Sequence, residues 1–218
     1  PSRPEGWSAP RRSTATEWPQ VSPAPYSGLR QPPKALYWKN APEAAAYQVE
    51  ICSGTYRTRF RTARAGLLWP VNFPLRPDSS VTWAISVPGA AEASVAGAFW
   101  RLPDADLARY EAVRPSIAQI TDPLHRTVVD ALAQAEVSLY HDALAQLEKL
   151  LAVIKSRHNG QNAAGEALVL RALVSVLRTM REGMRQYSRP AQLAWADARI
   201  DHHATRLALL SRYAAMEA

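Results

Sequence analysis

The sequence predicts an α+β multidomain chain: a small antiparallel β-sandwich followed by an α-helical hairpin array. Two changes of pattern predict it. Apolar residues alternate with period two at intervals between Trp38 and Phe99, as in strands with one buried face. After Pro103 the apolar period becomes about 3.6, as in amphipathic helices. A third observation sets the first boundary. Residues 1–33 hold eight prolines, each lacking a backbone donor and fixing its own φ, so neither a long helix nor a ladder is expected there. Three segments follow: a Pro-rich extended tail over 1–33, a sandwich over 34–102 and a helical domain over 103–218.

In the tail, Val21 and Leu29 are the only large aliphatic residues. Trp7, Trp18 and Tyr26 carry apolar surface that is costly to leave in water. The tail is therefore either docked, on a partner or on its own domain, or free; composition does not choose.

The first expected strand is Ala35-Leu36-Tyr37-Trp38, and residues 40–44 form a turn around Pro42. Tyr47, Val49 and Ile51 alternate with Gln48, Glu50 and Cys52, which puts one face in the core and the other in solvent. Ser53-Gly54 is a tight turn. Arg57, Arg59 and Arg61 then alternate with Tyr56, Thr58 and Phe60, and the aromatic residues are expected to face the core. Leu67-Leu68-Trp69 and Val71 come next, punctuated by Pro70 and Pro74. Val81, Trp83, Ile85 and Val87 make the clearest strand, closed by Pro88-Gly89. Val95 to Leu102 is the last. Strands this short and this regularly punctuated suit an antiparallel sandwich.

In the second half, residues 104–113 form a short helix with Asp104 and Asp106 near its N-terminus. Thr121-Asp122-Pro123 is a start signal, with Asp122 as N-cap and Pro123 at the first helical position. Leu124, Val128, Leu132 and Ala135 share one face. Ser138-Leu139-Tyr140 is a corner. Ala143, Leu144, Leu147, Leu150, Leu151 and Ile154 line the next helix, which Asn159-Gly160 ends. Leu170, Leu173, Val176, Leu177 and Met180 line a helix over 163–186, and Pro190 breaks it before a last helix over 191–216.

Composition narrows the function classes. The net charge is +7, with the excess in the first two segments. Residues 1–32 carry four arginines against two acids, residues 33–103 eight basic residues against four acids, and residues 104–218 fourteen against thirteen. A basic patch attracts nucleic acid or an anionic surface, and it equally serves as a solvated face. No run reaches the roughly 18 apolar residues of a membrane span. The chain begins at Pro1 rather than Met, so it is expected to be processed, trimmed or incomplete, with a preceding signal peptide or anchor left open. Cys52 is the only cysteine, so no internal disulfide and no thiolate metal cluster is expected.

Catalytic motifs are missing. There is no Gly-x-Ser-x-Gly elbow, no Gly-rich phosphate loop and no His-Glu-x-x-His. His202 and His203 lie near Asp197 and Asp201, but adjacent helical residues point about 100° apart and rarely chelate together. The expectation is a non-enzyme with no metal and no cofactor. The sharpest charge feature is the row Arg57, Arg59, Arg61, which period two places on one strand face and Arg64 extends. Such a row either grips phosphates or carboxylates, or guards an edge strand against pairing with other chains.

Trp38, Pro42, Tyr47-Gln48-Val49-Glu50-Ile51, Leu75-Arg76-Pro77 and Val81-Thr82-Trp83-Ala84-Ile85 together resemble fibronectin type III-like or immunoglobulin-like modules of bacterial envelope proteins. Asp78 and Ser79 stand where that pattern usually has glycine. The segment 124–157 is similar to a tetratricopeptide-like helix pair through Ala131, Tyr140, Ala143 and Leu147, departing at Ser138 and Lys155. Gly165 follows Ala131 by one repeat period. The resemblance implies an interaction or assembly subunit of a bacterial cell-envelope complex, in the periplasm or associated with the envelope. Its protein partners would meet the helical groove, the Arg57, Arg59, Arg61, Arg64 face and the tail anchors Trp7, Trp18 and Tyr26. The alternative is a nucleic-acid-associated structural subunit of a ribonucleoprotein.

Overall fold

The computed structural model describes residues 23–24, 26–38, 44–70, 73, 80–88, 95–158, 162–185 and 190–216. The fold is α+β, with strands first and helices after. The strands are β1 (Ser27–Leu29), β2 (Ala35–Tyr37), β3 (Tyr47–Ser53), β4 (Tyr56–Thr62), β5 (Gly66–Leu68), β6 (Ser80–Ser86) and β7 (Val95–Arg101). The helices are α1 (Asp104–Ala118), α2 (Pro123–Glu136), α3 (Tyr140–His158), α4 (Ala163–Arg185) and α5 (Pro190–Met216).

Five strands form one sheet in the order β1-β7-β6-β3-β4, and β2 pairs with β5 in a second, two-stranded sheet. The alternation read from the sequence sets the packing between them. Tyr47, Val49 and Ile51 from β3, Val81, Trp83 and Ile85 from β6, and Phe99 from β7 turn inward. Leu36, Trp38, Leu67 and Trp69 cover them from the β2–β5 side. Aromatic edges lock this core: Trp38 meets Tyr47 and Trp69 meets Phe99 edge-on, at centroid distances of 5.3 and 5.2 Å. The corner residues Pro42, Leu75 and Pro77, together with Val71, Asn159 and Gly160, lie outside the described residues.

β1 changes the reading of the tail. Ser27–Leu29 falls inside the segment expected to be an extended tail, docked or free, and it runs as a strand parallel to β7, with Ser27 opposite Phe99 and Leu29 opposite Arg101. Every other pair in the two sheets is antiparallel. The opposite side of β1 meets the helices: the Gly28 N–H donates to the Ser138 carbonyl at 2.8 Å. A Cβ on Gly28 would come within 3.0 Å of Leu102 Cδ1 and 3.2 Å of the Ser138 oxygen. Only glycine lets β7, β1 and the α2–α3 corner approach this closely.

The helices follow their sequence signals. Asp122 caps α2 by accepting from Leu124 N at 2.7 Å. Ser138 turns the α2–α3 corner with φ 65°, a left-handed backbone that a residue other than glycine adopts rarely. The Asn162 side chain accepts from Gly165 N at 2.9 Å, so it caps α4. The first helix is longer than its expected 104–113 range and continues through Pro115 to Ala118. Burial of Tyr110 and Ile117 on one side of α1 offsets the backbone bond that Pro115 removes. α4 is the most enclosed helix, because α3 and α5 both pack on it and α2 reaches it as well.

Among the described residues, the ion pairs Arg181–Asp197, Arg199–Glu148 and Arg206–Glu166 tie α5 to its neighbours. His203 of α5 is buried beside Arg199, His202 and Lys155. Burial, and after it the neighbouring Arg199, His202 and Lys155 side chains, push its pKa from the ordinary 6.5 down to about 4.

Two outcomes follow. Gly28→Val should destabilise the chain by about 1–3 kcal/mol through overpacking, read as a lower Tm. For His203 the folded chain favours the neutral ring, while the unfolded chain takes up the proton near 6.5. Its contribution is complete above that pH and lost as pH falls toward 4, an effect of about 3 kcal/mol. Urea unfolding across this range should show a steep loss of stability that His203→Gln flattens.

Candidate functional site

The candidate surface is the outer face of β4 and the edge it leaves unpaired among the described residues. Gly54, with φ 56°, and Thr55 join β3 to β4 in a two-residue hairpin, so Ser53 pairs with Tyr56. That turn fixes the register of the whole ladder. Cys52 stands opposite Arg57, Glu50 opposite Arg59 and Gln48 opposite Arg61. The three arginines therefore share the outer face with Gln48, Glu50 and Cys52, as the alternation requires.

Glu50 organises the row. Its Oε1 accepts from Arg57 Nε at 2.6 Å, and its Oε2 accepts from Arg59 Nε at 2.7 Å. Partial burial raises the carboxyl pKa, and the Arg59 and Arg57 guanidiniums outweigh it, leaving the group below its usual value. One anion thus holds two cations. Arg61 is exposed and forms no ion pair among the described residues. Arg64 lies past the strand, where its N–H donates to Thr62 Oγ1 at 3.1 Å. A shallow cavity of about 330 Å³ opens beside the row, lined by Gln48, Arg59, Phe60, Arg61 and Pro88.

The aromatic residues of β4 divide. Phe60 is half-buried against the sandwich core. Tyr56, expected to face the core, is 61% exposed because it sits at the hairpin end, beyond the reach of the β2–β5 layer. Of the tail anchors, Tyr26 packs against the helical core, with a left-handed φ of 61° and its N–H donating to the Ala98 carbonyl at 2.6 Å. Trp7 and Trp18 lie outside the described residues. The structure brings together Arg57, Arg59 and Arg61 and places Tyr26 at the seam between the two modules.

Glu50 was missed as the partner of the row, although its position was within reach of the sequence. A tight turn at Ser53-Gly54 would set it across from Arg57; the turn falls one residue later, at Gly54-Thr55, and sets it across from Arg59. Cys52 also belongs to this face. Burial, and after it the nearby Glu50 carboxylate, pushes its thiol pKa up.

A second concave region lies between α1, α2 and α3, with a cavity of about 530 Å³ bordered by Arg114, Arg126, Asp130 and Gln146 among others. Its floor is a polar network. Asp130 accepts from Tyr110 Oη at 2.7 Å, from Gln134 Nε2 at 3.0 Å and from Gln146 Nε2 at 3.1 Å. Burial, followed by the bond to Asp130, raises the Tyr110 pKa. Arg30 lies 4.7 Å over the Tyr110 ring and pairs with Glu111 and Asp142, at 3.3 and 3.5 Å. No periodicity or motif signals this network, because its members come from three helices and are joined only by packing.

No group of three or more His, Cys, Asp or Glu side chains able to hold a metal is found among the described residues. Asp197 is engaged by Arg181, and His203 points into a cationic surrounding. No helix among the described residues is long and apolar enough to cross a membrane. The sequence matches no family model and no curated protein.

The raised thiol pKa has a direct test. Cys52 should alkylate more slowly than a free thiol at neutral pH and should speed up in Glu50→Gln, which removes the neighbouring negative charge.

Proposed function

We propose that this chain is a non-enzymatic interaction or assembly subunit, with the β-sandwich and the helical array acting as one docking body for protein partners. The observation that carries the reading is the seam. β1 is hydrogen-bonded along β7 and reaches Ser138 of the helical corner, while Arg30 pairs with both α1 and α3. The arrangement fixes two unlike surfaces relative to each other, the Arg-bearing β4 edge and the α1–α2–α3 cleft. Rigid presentation of separated surfaces lowers the ordering cost of binding and suits assembly. Placement in a bacterial cell envelope, periplasmic or envelope-associated, rests on the resemblance to fibronectin type III-like and tetratricopeptide-like modules.

A nucleic-acid-associated role draws on the same arginines. Against it, Tyr56 and Phe60 alternate with the arginines along β4, and Phe60, which borders the cavity beside Arg59 and Arg61, is half-buried against the core rather than free for a base to stack on. Two of the three cations also already share the single negative charge of Glu50.

Affinity capture by the intact chain from its native extract, washed at low and then high salt, tests the reading. A defined protein retained at high salt is the expected result. Nucleic acid held only at low salt would replace it with the ribonucleoprotein reading.

A further inference from the structure

We propose that β4 is a docking edge for an extended acidic segment of a protein partner, which adds to the sheet as a sixth strand. The inference rests on the interaction-subunit reading and names the chemistry of its partner.

The backbone supplies the first part. β4 ends the five-stranded sheet and pairs only with β3 among the described residues. Its seven residues pair without interruption from Tyr56 to Thr62, with no proline and no bulge. No backbone bond from another described element reaches its outer side. An unbroken edge of this length is a template for another strand unless its side chains forbid one.

The side chains decide which strand it accepts. A second copy of β4 laid along the edge would set two rows of arginines side by side, so self-pairing is opposed by like charge. A strand carrying carboxylates at alternate positions meets the reverse situation, with its acids on the same face as Arg57, Arg59 and Arg61. Arg61 has no carboxylate partner among the described residues and borders the cavity of about 330 Å³. An acidic side chain of the added strand fits there as its missing counter-ion, in the two-pronged geometry that guanidinium favours. Glu50 holds Arg57 and Arg59 in place and dilutes their charge, which leaves Arg61 as the principal point of selection.

The test uses the full chain and a fluorescent seven-residue peptide alternating Glu with Thr, the length of β4. Its controls are the same peptide with Lys in place of Glu, and the acidic peptide N-methylated at alternate amides. The acidic peptide should bind at low salt and slow amide exchange in residues 56–62. Arg61→Ala should weaken it roughly tenfold, and Glu50→Gln, which frees two guanidiniums, should tighten it several-fold. Equal binding of the Lys or N-methylated peptide, unchanged exchange in β4, or indifference to Arg61→Ala would overturn the proposal. So would an oligonucleotide that binds through Arg61 where the acidic peptide does not. If these fail while a protein partner still survives the high-salt capture, the docking edge is wrong and the interaction-subunit reading stands. If capture returns only nucleic acid, that reading falls.

Discussion

The arrangement of this molecule depends on a three-residue strand. Ser27–Leu29 uses one side of its backbone to continue the sheet beside β7 and the other to reach the helical corner at Ser138. All three residues are buried. A buried backbone must satisfy its donors and acceptors, and here two different modules share that task. Further contacts flank the strand. The Ala24 N–H donates to His141 Nδ1 at 3.2 Å, and the Leu102 N–H returns to the Leu29 carbonyl at 2.9 Å. Burial favours the neutral His141 ring, which keeps Nδ1 available as an acceptor. The sandwich therefore does not hang from the helices by a linker. The strand that closes one edge of its sheet is the same strand that touches the helical array.

That closure gives the two edges of the large sheet opposite characters. The β7 side is covered by β1, whereas the β4 side is open among the described residues and carries arginines. A single carboxylate at Glu50 organises two of those cations, so the face is less positive than the count of arginines suggests. The placement of aromatic residues pulls in the same direction. Phe60 serves the core, and the exposed Tyr56 is at the hairpin end rather than among the guanidiniums. A surface built this way favours carboxylates spaced along a strand over stacked bases.

Legibility in the sequence followed the range of the interactions. Strands β3 and β6 and the N-terminus of α2 were readable because their causes are local: alternation at Tyr47, Val49 and Ile51, alternation at Val81, Trp83 and Ile85, and a cap at Asp122. The Arg row was readable for the same reason. Its tie to Glu50 was half readable: a tight hairpin puts Glu50 across from the row, but the turn falls at Gly54-Thr55 rather than Ser53-Gly54 and so sets it against Arg59. β1 was hidden because Ser-Gly-Leu carries no pattern of its own and becomes a strand only against β7. The helix through Pro115 was hidden because the burial of Ile117 overrides a local breaker. The Tyr110–Asp130–Gln134–Gln146 network was hidden because three helices must pack before its members meet.

By itself the sequence determined the α+β class, the change from period two to period 3.6 near Pro103, and most of the buried faces. Those features depend on which side of one strand or helix is apolar, a property of neighbouring residues. Only the tertiary structure decided where the tail becomes a strand, how the sandwich is fastened to the helices, and which arginines keep their charge to themselves. Each of these depends on groups far apart in the chain sharing one hydrogen bond or one carboxylate. No local pattern encodes such a meeting, because its free energy exists only once the elements have packed.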